Sequence, residues 1–388
     1  MPRRVCSFAI AHTDLAAQPF NNAGRTVRVR IPNNLSGDAV YVKFSNYYAT
    51  RPVWVQHATV ALMDEAGELL PSTIRPLTVY GDTSFALVPD RDVFSDRVPL
   101  VVLPGQTLAV SLYYPMPDKV TSGNFVGTFA TRSVHGNYSD APALPEAKVL
   151  STLSRSVLPW DVTSAITTLS AVLVEQADDT PAPRVVAAFG DSIMQQGAWV
   201  TPFTKRLYDR FPGMVSVCNL GIGGNRLLHE SPAILKGLYG HAGVERFRYD
   251  LLPLEGLTHA ILALGTNDIG LPGKDAPEEE LITLEQYQAA VTDLVAQLRK
   301  REVKVFAGLL LPRALNKVYT PEREALRVAI NDWLKNCGLF DAVLDLGASI
   351  ADPAGTGMKK EYDLPDGLHP NKAGGQAIAD SIDLDLFI

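Results

Sequence analysis

Val185-Val-Ala-Ala-Phe-Gly-Asp-Ser-Ile193 runs an apolar stretch directly into Gly190-Asp191-Ser192. Upstream, Asp178-Asp-Thr-Pro-Ala-Pro183 is made of turn formers and reads as a linker over 178–184. Downstream, Val200, Phe203, Leu207 and Phe211 recur close to a helical period. The stretch therefore predicts a buried strand over 185–189, a tight turn, and a helix over 199–211. A serine in that turn stands above a sheet edge, near backbone N–H groups and the positive end of a helix. Such a hydroxyl becomes a nucleophile only beside a base. Taken alone, Ser192 would serve equally well as a helix cap.

Toward the C-terminus the pattern repeats. Apolar runs at Val215–Leu220, His259–Leu264, Val303–Leu311 and Ala342–Leu346 predict strands. Between and after them, 284–301, 321–336 and 372–382 predict helices. The best marked, Gln286 to Arg301, puts Tyr287, Val291, Leu294, Val295 and Leu298 on one face. Strand and helix in alternation imply an α/β domain over 185–388, with a parallel sheet and helices on both faces. Ligands of such sheets bind outside the carboxyl ends of the strands.

Toward the N-terminus the period changes to two. Thr26-Val-Arg-Val-Arg-Ile31 alternates strictly, the pattern of a half-buried strand. Ala39–Phe44, Ala58–Met63, Ser84–Val88, Leu108–Tyr114 and Ala171–Val174 follow. Turn signals at Asn33-Asn34, Glu65-Ala-Gly67, Tyr80-Gly-Asp82 and Pro104-Gly105 separate most of them. Residues 1–177 thus predict an all-β sandwich of jelly-roll type.

With 388 residues, 46% of them hydrophobic, the chain can build two domains with sizeable cores. A net charge of -7 without a basic run lacks the electrostatic footprint of a nucleic-acid binder. No apolar run is long enough for a membrane span. The N-terminal apolar stretch is too short and too quickly broken for a signal peptide. Cys6, Cys218 and Cys337 are few, odd in number and far apart, which fits a reducing compartment and predicts a cytoplasmic protein, or a secreted one if an export signal has been trimmed.

Four segments fall at the expected strand ends or before the last helix. They are Gly190-Asp191-Ser192, Asn219-Leu-Gly-Ile-Gly-Gly-Asn-Arg226, Gly265-Thr-Asn-Asp268 and Asp366-Gly-Leu-His-Pro-Asn371. Together they hold what acyl transfer needs: a nucleophile, a base, a group to hold the base, and donors for an oxyanion. Ser192 supplies the nucleophile. His369 has an imidazole that can take and return a proton, and it supplies the base. Asp366, three residues earlier, can hold one ring nitrogen. The backbone N–H groups of Ser192 and Gly224 and the side-chain amide of Asn267 are the candidate donors. Each segment singly has an ordinary reading: a glycine loop, a turn pair or cap at Asn267-Asp268, a surface turn at His369-Pro370. Their joint occurrence in this order favours the catalytic reading.

The segments resemble the four sequence blocks of the SGNH hydrolases, also called the GDSL esterase and lipase superfamily. The family's Ser, Gly, Asn and His fall on Ser192, Gly224, Asn267 and His369. Val42-Lys-Phe-Ser-Asn46, Val98-Pro-Leu-Val-Val102 and Leu108–Tyr113 resemble the β-rich N-terminal region of a two-domain bacterial subgroup. One position differs: Ile193-Met194 stands where the family has leucine or isoleucine followed by threonine. The resemblance implies a flavodoxin-like catalytic domain and serine esterase activity on short-chain acyl or aryl esters, often acylated carbohydrate. It further implies a β domain that binds or frames such a substrate.

Other chemistries lack their motifs. No G-x-S-x-G elbow surrounds Ser192 and no Walker loop occurs; Gly221-Ile-Gly-Gly is not a dinucleotide fingerprint. No HExxH or paired-histidine spacing suggests zinc. Neither cofactor nor metal is expected; the expected partner is a small-molecule or carbohydrate ester. An O-acyltransferase would use the same residues with an alcohol acceptor, and a carbohydrate-binding protein without catalysis is the non-enzymatic alternative.

Overall fold

A computed structural model describes residues 2–17, 19–116, 119–126, 131–145, 162–163, 165–313 and 319–388. The expectation of β structure over 146–161 lies outside the described residues. The chain divides into two compact units, Met1–Pro183 with Pro212–Ser216, and Arg184–Phe211 with Val217–Ile388.

The first unit is built on two antiparallel sheets. One orders its strands Arg3–Ala9, Leu169–Gln176, Gly37–Ser45 and Asp92–Phe94, with Val98–Val102 also paired to Gly37–Ser45. The other runs Val162–Thr163, Thr131–His135, Arg25–Pro32, Thr107–Tyr114, His57–Met63 and Arg75–Pro76. In the strand Arg25–Pro32, Val27, Val29 and Ile31 form a fully buried stripe, as the alternation requires. On the opposite face Arg30 and Pro32 are exposed, but Thr26 and Arg28 are not left to water. Thr26 donates to the Gly136 carbonyl, and the Arg28 guanidinium donates to the carbonyls of Tyr138, Ala141 and Pro142. A returning loop thus covers Thr26 and Arg28, and burial depresses Arg28 to about 10.

The second unit holds strands β1 (Arg184–Gly190), β3 (Leu257–Ala263), β4 (Lys304–Gly308) and β5 (Ala342–Leu344), which form one sheet with β2 (Val215–Asn219), itself in this unit from Val217 on. Their order is β2-β1-β3-β4-β5, and the β1/β3, β3/β4 and β4/β5 pairs are parallel. Val185 to Gly190 are buried without interruption, because helices cover the sheet and leave no polar face to alternate with. The helices are α1 (Ser192–Gln195), α2 (Val200–Arg210), α3 (Gly243–Arg246), α4 (Thr266–Gly270), α5 (Leu284–Arg299), α6 (Pro321–Asn336) and α7 (Lys372–Ser381). α2 packs with α7 and α5 with α6.

α5 buries the face read from the sequence, and a capping box between Thr283 and Gln286 opens it. α7 starts at Asn371, whose side chain accepts the Gly374 N–H. It approaches the segment before α2 so closely that a Cβ on Gly375 would lie 2.0 Å from the Ala198 carbonyl oxygen. The C-terminal turn Leu384–Phe387 seals this side. The Phe387 ring lies 5.0 Å from both Phe203 of α2 and Phe306 of β4.

β4 ends at Gly308, short of the expected 303–311, and the sequence pattern gave no sign of α3, α4 or the helical turn Phe247–Leu251. Because β1 lies between β2 and β3, the chain leaves it where the strand order reverses. In such sheets this is the point where a crevice opens, and Ser192 is the second residue beyond it.

Candidate functional site

Ser192 is the first residue of α1, and the cap is its neighbour: the Asp191 carboxylate accepts the Ile193 N–H at 3.0 Å. That leaves the Ser192 hydroxyl for another partner. Its Oγ lies 2.7 Å from His369 Nε2. His369 Nδ1 lies 2.7 Å from Asp366 Oδ2, while Asp366 Oδ1 accepts the N–H groups of Leu368 and His369, each at 2.9 Å. Burial pushes the Asp366 carboxyl up, but the bonds from the His369 ring and from the two backbone N–H groups outweigh it and hold the group below its ordinary value. An ionised carboxylate only accepts, so Nδ1 carries the ring proton. Nε2 is then the acceptor that faces the Ser192 hydroxyl. The turn bearing both residues is fixed from the far side, where Asn371 Nδ2 donates to the carbonyls of Glu361 and Asp363.

The loop after β2 brings the second segment to the same place. Asn219 Nδ2 donates to the Met194 carbonyl at 2.7 Å, and its Oδ1 accepts the Gly221 N–H. Gly224 has φ +73, and a Cβ there would lie 2.3 Å from the Tyr239 ring, so both backbone and packing demand glycine. Among the described residues no hydrogen bond engages the N–H of Ser192 or of Gly224.

Asn267 is not a cap: it lies inside α4, whose N-cap is Gly265, with φ 128 and no side-chain cap bond. Its buried side chain instead donates to the Asn225 carbonyl at 3.0 Å. Asp268 accepts the N–H groups of Leu227 and Leu228 at 2.7 and 3.0 Å. Burial raises its carboxyl nonetheless. Asn267 and Asp268 thus stitch the end of β3 to the loop after β2.

Met194, which departs from the family pattern, turns inward. It is 1% exposed, and a Cβ on Gly190 would lie 2.5 Å from its sulfur. It fills space beneath the turn.

Sequence reasoning missed two arginines. Arg246, fully buried, reaches the ends of β1 and β2. Arg313 donates to the Thr266 carbonyl at 2.8 Å and sits so close to α4 that a Cβ on Gly270 would meet its Nη2 at 2.4 Å. The only available signal was arginine within otherwise apolar surroundings, as in Gly308-Leu-Leu-Leu-Pro-Arg313. Among the described residues no group of three or more His, Cys, Asp or Glu side chains could hold a metal ion.

Asp191 is 2% exposed, and burial raises its carboxyl to about 6 against the ordinary 3.8, despite the Ile193 N–H, His369 and Arg313. A carboxyl with a raised folded value makes ionisation costly. The cost is absent below about 3.8, grows as pH rises, and is complete above about 6. At roughly 1.4 kcal/mol per unit, the full effect is on the order of 2–3 kcal/mol. Asp191→Asn keeps the acceptor for Ile193. It is expected to melt near the wild type at pH 4 and above it at pH 7. Parallel melting curves with a constant difference across that range would show that Asp191 ionises without penalty.

The profile of the GDSL-like lipase/acylhydrolase family matches residues 188–377. No curated protein matches the chain. Among solved structures, a GDSL-like lipase from Bacteroides thetaiotaomicron is 17% identical, with 53% of this chain and 91% of that one covered at a TM-score of 0.36. An alpha/beta hydrolase from the metagenome of Lake Arreo, Spain, is 19% identical, covering 52% and 94% at 0.39. An acetyl xylan esterase from Geobacillus stearothermophilus is 16% identical, covering 52% and 92% at 0.40.

Proposed function

We propose that this chain, which belongs to the GDSL-like lipase/acylhydrolase family through residues 188–377, hydrolyses carboxylic esters through an acyl-enzyme on Ser192. The observation that carries the reading is the unbroken line Ser192 Oγ, His369, Asp366, with 2.7 Å at each step.

His369 Nε2 takes the hydroxyl proton as Oγ bonds to the ester carbonyl carbon. The carbonyl oxygen becomes an anion, and the N–H groups of Ser192 and Gly224 and one amide hydrogen of Asn267 receive it. Two of those donors have no acceptor among the described residues, and a primary amide keeps a second N–H beyond the one given to Asn225. The tetrahedral adduct collapses by breaking the bond to the alcohol oxygen, which takes the proton from His369. Water then enters, gives a proton to His369, attacks the acyl carbon and releases the acid, and Ser192 regains its proton. Asp366 stabilises the imidazolium in both halves. The substrate class we assign is short-chain acyl or aryl esters, O-acetylated carbohydrate included; the resemblance of the four segments supports it. An alcohol in place of water would make the same residues an acyltransferase.

A fluorophosphonate forms a stable adduct on an activated serine. Stoichiometric inactivation is expected, with the adduct recovered on the peptide that contains Ser192. Full esterase activity after complete labelling, or an adduct on another residue, would overturn the assignment.

A further inference from the structure

Arg246 is buried to 0% exposure, and its guanidinium distributes its donors over separate parts of the site. Nη2 donates to the Gly190 carbonyl at 2.8 Å, and Nη1 to the Leu220 carbonyl at 2.9 Å and to Asp250 at 3.1 Å. Nε donates to Asn225 Oδ1 at 2.7 Å. The plane lies over Phe189 of β1, 3.9 Å from the ring centroid. Its own backbone position is set by the same loop, since the Gly243 and Val244 N–H groups donate to the carbonyls of Arg226 and Leu227.

The Gly190 carbonyl belongs to the peptide just before Asp191-Ser192. Asn225 directly follows Gly224. Asn225 is itself pinned: Nδ2 donates to the carbonyls of Tyr239 and His241 at 2.8 and 2.7 Å, and its own carbonyl accepts from Asn267. Tyr239 in turn lays its ring on Gly224. One rigid planar group therefore ties the peptide leading to Ser192 to the residue that follows Gly224. Oxyanion catalysis depends on donors already aimed at the developing charge, and a displacement of about 1 Å can cost about a hundredfold.

From this geometry we infer that Arg246 is a positioning residue, acting through the Gly190 carbonyl and the Asn225 side chain to set the aim of the Ser192 and Gly224 N–H donors. The inference rests on the proposed roles of those donors. Lysine cannot reproduce it, because a single ammonium cannot span four acceptors set around a planar fork.

The test uses the full chain with p-nitrophenyl acetate, and a trifluoromethyl ketone that forms a tetrahedral adduct on serine. For Arg246→Lys, kcat is expected to fall about ten- to a hundredfold with KM within about twofold. The inhibition constant of the ketone should rise by the factor that kcat/KM falls. Asn225→Ser leaves Arg246 its Gly190, Leu220 and Asp250 acceptors, cuts its link to the Gly224 loop together with the Asn225 bonds to the Tyr239 and His241 carbonyls, and should move the same parameters in the same direction. Where Arg246→Lys does not fold, Asn225→Ser decides. Wild-type kcat and ketone affinity in the folded variants would overturn the inference, as would failure of both to fold, which would make the pair purely structural. Ser192→Ala, assayed alongside, separates the two readings. If it is inactive while Arg246→Lys and Asn225→Ser behave as wild type, only the positioning role falls; if it stays active, the esterase reading falls.

Discussion

Ser192→Ala is expected to lower kcat for ester hydrolysis by on the order of 10⁴- to 10⁶-fold and to leave the melting temperature nearly unchanged. Among the described residues the Ser192 side chain makes one hydrogen bond, to a partly exposed histidine, and the cap of α1 comes from Asp191. Alanine in the first turn therefore removes the nucleophile and nothing that holds the helix. His369→Ala should cost about as much, because without a base the hydroxyl keeps its proton. The two groups act on one step, so the double variant should lose little more than either single one. Independent losses that multiply would mean that serine and histidine serve separate steps. A Ser192→Ala protein with near-normal kcat would remove Ser192 from the chemistry altogether.

The alternation of strand and helix was legible because apolar period and burial coincide there. Val185 to Phe189 is apolar and buried throughout, and α5 buries the five residues its pattern singled out. α4 was illegible for the opposite reason. Thr266, Asn267, Asp268, Ile269 and Gly270 are all buried, so the helix has no polar face and no period to detect. Its polar side chains are satisfied by loop backbone rather than by water, a distinction that composition does not record. The strand Arg25–Pro32 shows the same limit. Its alternation reads as half-exposed, yet Arg28 is covered by carbonyls from residues 138–142, far along the chain. At the candidate site, the residue types with reactive groups could be read from motif spacing. What fixes them could not: Arg246 and Arg313 act through carbonyl oxygens, and every residue has one.

Asp366→Asn is expected to lose on the order of 10⁴-fold in kcat, more than Asp366→Ala, although asparagine is the closer match in shape. The orientation of the amide decides this. Oδ1 of Asp366 accepts two N–H groups, from Leu368 and His369. An amide nitrogen placed there would face two donors, so the amide oxygen must occupy that position. The NH₂ is then directed at His369 Nδ1, the atom that Asp366 Oδ2 meets at 2.7 Å. A donor opposite Nδ1 forces the ring proton onto Nε2, where it faces the Ser192 hydroxyl and cannot accept a proton from it. Alanine imposes no tautomer. The Asp366 side chain is 46% exposed, so water can enter and the ring can still present a free Nε2 for part of the time. Steady-state kinetics on the two variants, with melting curves to confirm folding, provide the check. Equal losses, or a worse alanine variant, would show that Asp366 contributes through its charge and not through the tautomer it imposes.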